Sequence, residues 1–195
     1  GSSEIAVLNS IQLAGLTALN IAGFDSSDIA SLRPAAAGGL STLVISNLDS
    51  VQIKGLTSAI IRSLSTTQIA SISLTSIDDI TTSQLAGLTT AQIAALRSSQ
   101  VEALTSLQVK ALNPAQVAGF TTTQIRALES EDFGQMTTDQ IAILSTAQLQ
   151  RVSEEDLDAL GTSQIRALTS PQLSSLSTLQ LRSLSETIQI PALKP

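Results

Sequence analysis

The sequence predicts an all-α fold: a solenoid, or superhelix, of short helices, one for each octapeptide repeat. Three observations predict it. A large apolar residue recurs every eight positions from Leu8 to Leu184, the row ending at Ala192. A second row runs three residues ahead, from Ile5 to Leu181, and is interrupted only at Ala37. A helix-start signal follows nearly every member of the first row. Self-similarity at a fixed period takes precedence over any local reading of secondary structure.

The start signals are capping boxes. Thr89…Gln92, Thr105…Gln108, Thr121…Gln124, Thr137…Gln140, Ser145…Gln148 and Thr169…Gln172 share one phase. In each, the hydroxyl accepts from the third helical N–H and the Gln amide reaches back to the N–H of the cap. Pro34 and Pro114 fall at the first helical position, where a missing donor costs nothing. Ser153-Glu154-Glu155-Asp156 places three carboxylates at the positive end of the helix dipole.

A single long helix does not fit. Eight residues advance about 800°, so an apolar stripe would drift by roughly 80° per octad and face no one partner. A β-solenoid is the second alternative, kept open by the Ile, Val and Thr content. Against it, rows three residues apart lie on opposite faces of a strand but on one face of a helix. A helix of about seven residues is marginal alone in water. Each octad must therefore stack on others to bury its two apolar side chains.

The position before the Leu row carries small residues, among them Gly15, Gly23, Gly39, Gly55, Gly87, Gly119, Ala95, Ala127 and Ala167. They let neighbouring backbones approach, so Gly87→Leu is expected to clash. Gly23, Gly55, Gly87 and Gly119 recur every 32 residues. The caps replaced by Arg33, Arg97, Glu129 and Gly161 also keep to multiples of 32. A four-octad unit, as two hairpins or one superhelical turn, is one reading of that beat; a scar of duplication is the other.

In chain order, residues 1–3 (Gly1-Ser2-Ser3) read as a cloning remnant, so the chain is expected to be an excised piece of a longer protein. Residues 4–188 are the octad array. Ala35-Ala36-Ala37-Gly38-Gly39 predicts a local bend or loosened turn. Leu43-Val44-Ile45 and Ile60-Ile61 add apolar residues beside the core rows and predict a locally wider core, or else a surface patch. Ser73-Leu74-Thr75-Ser76-Ile77-Asp78-Asp79-Ile80 keeps the rows but loses the Gln. Pro171 is tolerated in the first turn of its octad. Residues 189–195 decay, with Gln189 in the Ile row and Pro191 and Pro195 following, as an end cap or the cut edge of the array.

Composition narrows function. A net charge of −6 argues against nucleic acid, which wants a basic surface. With no His and no Cys, disulfides, thiolate metal sites and the usual nucleophile–base pairs are excluded. No phosphate-cradling loop or dinucleotide fingerprint appears. No apolar run approaches the length of a membrane span, and no secretion signal is read. Glu129-Ser130-Glu131-Asp132 and Glu154-Glu155-Asp156-Leu157-Asp158 are acidic clusters in which calcium binding competes with dipole-favoured helix starts; neither has EF-hand spacing. Lys54, Arg62, Lys110, Arg126, Arg166 and Arg182 all follow the Ile row and predict one solvated basic face. No catalytic, cofactor-binding or metal-ligating residue is assigned, and no enzyme chemistry is expected.

The unit Leu88-Thr89-Thr90-Ala91-Gln92-Ile93-Ala94-Ala95-Leu96 resembles arrays in very large bacterial secreted or surface proteins, often labelled adhesins or haem-utilisation proteins. The resemblance covers residue 4 to about residue 188 and implies an extracellular, bacterial setting. Haem binding finds no axial ligand among these residues, since His, Cys and Tyr are absent and Met136 sits in a core row. The expected role is a stalk or spacer, with neighbouring repeats of a longer parent as its partners. A solenoid module that grips a protein or peptide is the alternative. An ordered Thr/Ser array acting on ice or a crystalline surface is a third, weakened because one hydroxyl per octad serves as a cap.

Overall fold

The computed structural model describes residues 1–184, and over them the chain is all-helical, with 22 helices of four to six residues and no strand. The expected decay at 189–195 lies outside the described residues. Two compact units are present, Gly1–Ala103 and Leu104–Pro195. Each is a solenoid of octads.

One octad shows how the sequence builds the element. Thr89 is extended and accepts from Gln92 N–H, while Gln92 Oε1 accepts from Thr89 N–H at 2.8 Å. The helix runs Thr90–Ala95 and closes with Leu96 N–H on the Ile93 carbonyl at 3.1 Å. Leu96 then turns extended, at φ −58° and ψ 139°. Two successive extended residues, the Leu and the next cap, reverse the chain. Among the described residues none has a positive φ and no peptide is cis.

The two apolar rows form the core. Ile29, Ile53 and Ile93 are fully buried in the first unit, as are Ile125, Phe133 and Ile165 in the second. Burial of each such side chain contributes about 1.5–3 kcal/mol, which lets helices too short to survive alone persist together. The helices that pack lie three octads apart. Ser26–Ala30 meets Ser50–Gly55, and Pro34–Ala37 meets Ser58–Ser63. In the second unit Ser106–Ala111 meets Ser130–Gln135, which meets Glu154–Asp158. The two-hairpin reading of the 32-residue beat is thereby set aside, because hairpins would pack neighbouring octads.

Close approach occurs where the small residues stand. A Cβ on Gly55 would fall 2.5 Å from the Ser26 carbonyl oxygen, and one on Gly87 2.9 Å from Ser58 Cβ. The expectation at Gly87 thus has a physical partner, the first helical residue of the octad three below. Gly39 is tighter still, its Cβ position 2.1 Å from the Ser10 carbonyl oxygen.

Two expectations need correction. The Ala35–Gly39 stretch does not loosen: Pro34–Ala37 is a regular helix, Gly38 follows in αR geometry, and Gly39 and Leu40 N–H bond the Ala36 and Ala37 carbonyls. Small side chains here serve contact with the octad below. Conversely, residues 73–80 form turns, so the rule of one helix per octad fails there. Ser76 stands where Gln would cap, and its Oγ donates to the Leu48 carbonyl at 3.1 Å.

Candidate functional site: the seam between turns

Octads with a Gln at the fourth position, among them those of Gln52, Gln68, Gln84, Gln100, Gln140, Gln148 and Gln180, repeat one long-range arrangement. Beyond its capping role, the Gln amide nitrogen donates to two backbone carbonyls of the octad four below. Gln52 Nε2 reaches the Ile21 and Phe24 carbonyls at 2.7 and 2.8 Å. Gln92 reaches Ile61 and Leu64 at 2.8 and 2.7 Å. In the second unit Gln164 reaches Phe133 and Met136 at 2.7 and 2.8 Å, and Gln172 reaches Ile141 and Leu144 at 2.9 and 2.7 Å. These carbonyls end their helices and lack a full set of intrahelical partners. One buried carboxamide therefore caps the start of its own helix and the end of another. Its oxygen and both N–H groups are used, so burial leaves nothing unmet. Because packing joins octads three apart and hydrogen bonding joins octads four apart, one turn of each solenoid takes between three and four octads.

The caps replaced by Arg keep part of this scheme. Arg97 N–H still donates to Gln100 Oε1 at 2.8 Å. Its guanidinium donates to the Ile72 carbonyl at 3.1 Å, and that of Arg33 donates to the Val7 and Leu8 carbonyls at 3.1 and 3.0 Å. A cation at a helix C-terminus is favoured by the dipole. These substitutions exchange a local cap for a contact across the seam.

Where Gln is replaced by apolar residues, the side chain is buried in the same place. Val44 and Ile60 are fully buried, whereas Leu43 is exposed. The wider core is thus seen, and its cause is occupancy of the glutamine position.

The acidic clusters resolve in the same way. Asp132 and Asp156 occupy glutamine positions and accept from the Glu129 and Ser153 N–H groups at 3.0 and 3.1 Å. Among the described residues no three carboxylates gather where they could hold a metal ion. Asp132 is only 3% exposed, and burial raises its pKa despite hydrogen bonds from Glu129 N–H and Ser106. The folded state then binds its proton more readily than the unfolded chain does. Stability is greatest below the ordinary carboxylate pKa and falls as pH rises through the raised value. Asp132→Gln is expected to flatten this slope and to raise stability at neutral pH, as followed by urea unfolding across pH. Asp156→Gln is expected to add about 1 kcal/mol, because the amide would meet the Ile125 and Leu128 carbonyls. Unchanged unfolding midpoints would contradict both expectations.

The basic row faces solvent. Lys54 Nζ pairs with Asp79 at 2.7 Å, and Lys110 Nζ meets Gln135 Oε1 at 3.4 Å, each three octads up. Lys54 and Ser50 lower the Asp79 pKa. Its small contribution is present above the ordinary carboxylate range and fades as pH falls through the lowered value. Two shallow, open clefts lie along the seams, at residues 46–50 with 73–76 and at residues 150–155 with 177–180. They occupy equivalent places in the repeat. No described helix is long and apolar enough to cross a membrane.

Sequence reasoning found the capping role of Gln but missed its bonds across the seam. The available signal was the recurrence of a long amide where any short polar residue could have braced a helix start. No curated protein matches the chain. Residues 77–114, 106–138 and 154–186 match the family model of the ALTTAQ repeat. Over those stretches the chain is similar to that repeat, in agreement with the array of octads in the structure.

Proposed function

We propose that the chain is a stalk or spacer in a bacterial surface or secreted adhesin-like protein, with no catalytic step. The observation that carries this reading is the recurring seam: the same amide-to-carbonyl bonds join turns at Gln-bearing octads within each unit. Nearest-neighbour stacking makes reach additive, since each octad adds one increment of rise and one set of seam bonds. A Cys-free composition suits an extracellular setting whatever its redox poise. Small-angle scattering of variants lengthened or shortened by whole octads tests the spacer role. The maximum dimension should change in proportion to octad number; a size that does not scale would defeat it. Protease shaving of intact source cells tests the location, and an array left uncut on intact cells but cut after lysis would refute surface display.

A second reading, a protein-binding module, is favoured by one observation. The outward third position holds Ile11, Leu19, Leu43 and Val51, exposed by 82, 85, 63 and 57%. The helices carrying Leu19 and Leu43 pack together, and Gln52 ties the octad of Val51 to that of Leu19. Leu19, Leu43 and Val51 thus lie on neighbouring octads of the first unit as an apolar strip. If it grips a partner protein, Leu19→Ser with Leu43→Ser should abolish retention of that partner without loss of helicity.

A further inference from the structure

The octad at residues 73–80 departs from the helical rule, and it borders one of the two clefts along the seams. That cleft measures about 390 Å³, within the range of small-molecule sites. Ser46, Asn47, Asp49, Ser73 and Thr75 line it, with Ser76 in the place of the seam glutamine. Its octads lie inside the first unit with further octads before and after them, so neither end of the chain shapes it.

The polar groups here are not all matched. In the next octad, Gln84 Oε1 accepts from the Thr81 N–H at 2.7 Å, and its amide meets the Ile53 and Leu56 carbonyls. Ser76 Oγ meets the Leu48 carbonyl instead, and the Ser73 N–H has no acceptor among the described residues. Asp49 holds the Val51 and Gln52 N–H groups with Oδ1 alone, each at 2.9 Å, which leaves Oδ2 open. Asn47 directs its amide N–H to the Leu43 carbonyl at 2.8 Å, which leaves its own oxygen open. The Ser73 and Thr75 hydroxyls pair at 2.8 Å. Such a pair uses one of its two protons, so the other is free to donate.

One cleft thus offers two open acceptors, Asp49 Oδ2 and Asn47 Oδ1, beside two donors, the Ser73 N–H and a hydroxyl of the Ser73–Thr75 pair. The Asp49 carboxylate disfavours an anion. A cation would find no group of three carboxylates among the described residues. The largely polar lining offers little to an apolar ligand. A ligand whose neighbouring groups each donate and accept fits this set, and vicinal hydroxyls do so.

We propose that this cleft binds a carbohydrate. Asp49 and Asn47 accept from adjacent sugar hydroxyls, while the Ser73 N–H and the Ser73–Thr75 pair donate to sugar oxygens. The site would add recognition to a spacer; a chain that binds no sugar would overturn the site and leave the spacer reading intact.

The test is titration of the full chain, labelled with nitrogen-15, with glucose, galactose, mannose and N-acetylglucosamine, followed by amide chemical shifts. At least one sugar should give saturable shifts at residues 46–50 and 73–76. The equivalent cleft of the second unit retains its Gln180, and residues 150–155 should not respond. Asp49→Asn keeps an oxygen for the helix start but turns the open acceptor into a donor, and it should weaken binding about tenfold. Ser76→Gln returns the long amide to the seam and should abolish binding. Thr75→Val removes an exposed hydroxyl and should weaken it. Circular dichroism checks that each variant keeps its helicity; if either of the first two does not, the exposed Thr75→Val decides. Absence of saturable shifts with all of these sugars, shifts confined to other residues, or unchanged affinity in the folded variants would overturn the proposal.

Discussion

Gln92→Ala is expected to destabilise the first unit by about 3 kcal/mol, roughly one for each of three buried hydrogen bonds removed. Thr89 N–H loses its acceptor, and the Ile61 and Leu64 carbonyls lose their donor. The damage spans two places 28 to 31 residues apart in the chain. Hydrogen exchange should accordingly speed up at the start of the helix Thr90–Ala95 and also at the end of the helix Ser58–Ser63. A cap acting only within its own octad would leave the second region protected, and that outcome would count against the seam. Gln92→Ile should cost less than Gln92→Ala, because Ile60 already fills the equivalent position while fully buried. Urea unfolding gives the order of the three proteins.

The second large effect belongs to Gly39. Adding one methyl there brings carbon to 2.1 Å from the Ser10 carbonyl oxygen and 2.7 Å from Ser10 Cα, both backbone atoms that no rotamer change can move. Gly39→Ala should therefore cost about 1–3 kcal/mol, as overpacking of a close contact does. Its neighbour is the control. A Cβ on Gly38 meets nothing within 4 Å, and the residue is already in αR geometry. Gly38→Ala should be neutral or stabilise by about 0.4–1 kcal/mol, through the lower entropy of the unfolded chain. Thermal unfolding of the two variants separates them. Equal shifts would mean that the contact with Ser10 relaxes without cost.

Gly39 also shows why close stacking was only partly legible. The small-residue row is visible in the sequence, but Gly39 and Gly38 look alike there. Their difference depends on which one faces an octad three repeats earlier in the sequence. Ser76 carries a related lesson. Its octad retains both apolar rows, so periodicity assigns it a helix, yet those residues settle into turns, although the octads of Val44 and Ile60, which also lack the Gln, stay helical. The acidic clusters misdirect in a third way. Asp132 and Asp156 read as charge exposed at helix starts, whereas both are buried in places that elsewhere hold a neutral amide.

By itself, the sequence determined the eight-residue period, the phase of the helix starts and the two rows that become the core. Those features arise from contacts three to five residues apart, and residues so close in the chain meet in almost any compact arrangement. Tertiary structure alone decided which octads touch, which glycines tolerate a methyl, and that Gln52, Gln92 and Gln164 fasten one turn to the next. Such bonds reach across 28 to 31 residues. They depend on how far each short helix rotates the path of the chain, a quantity summed over several octads and written in no single one.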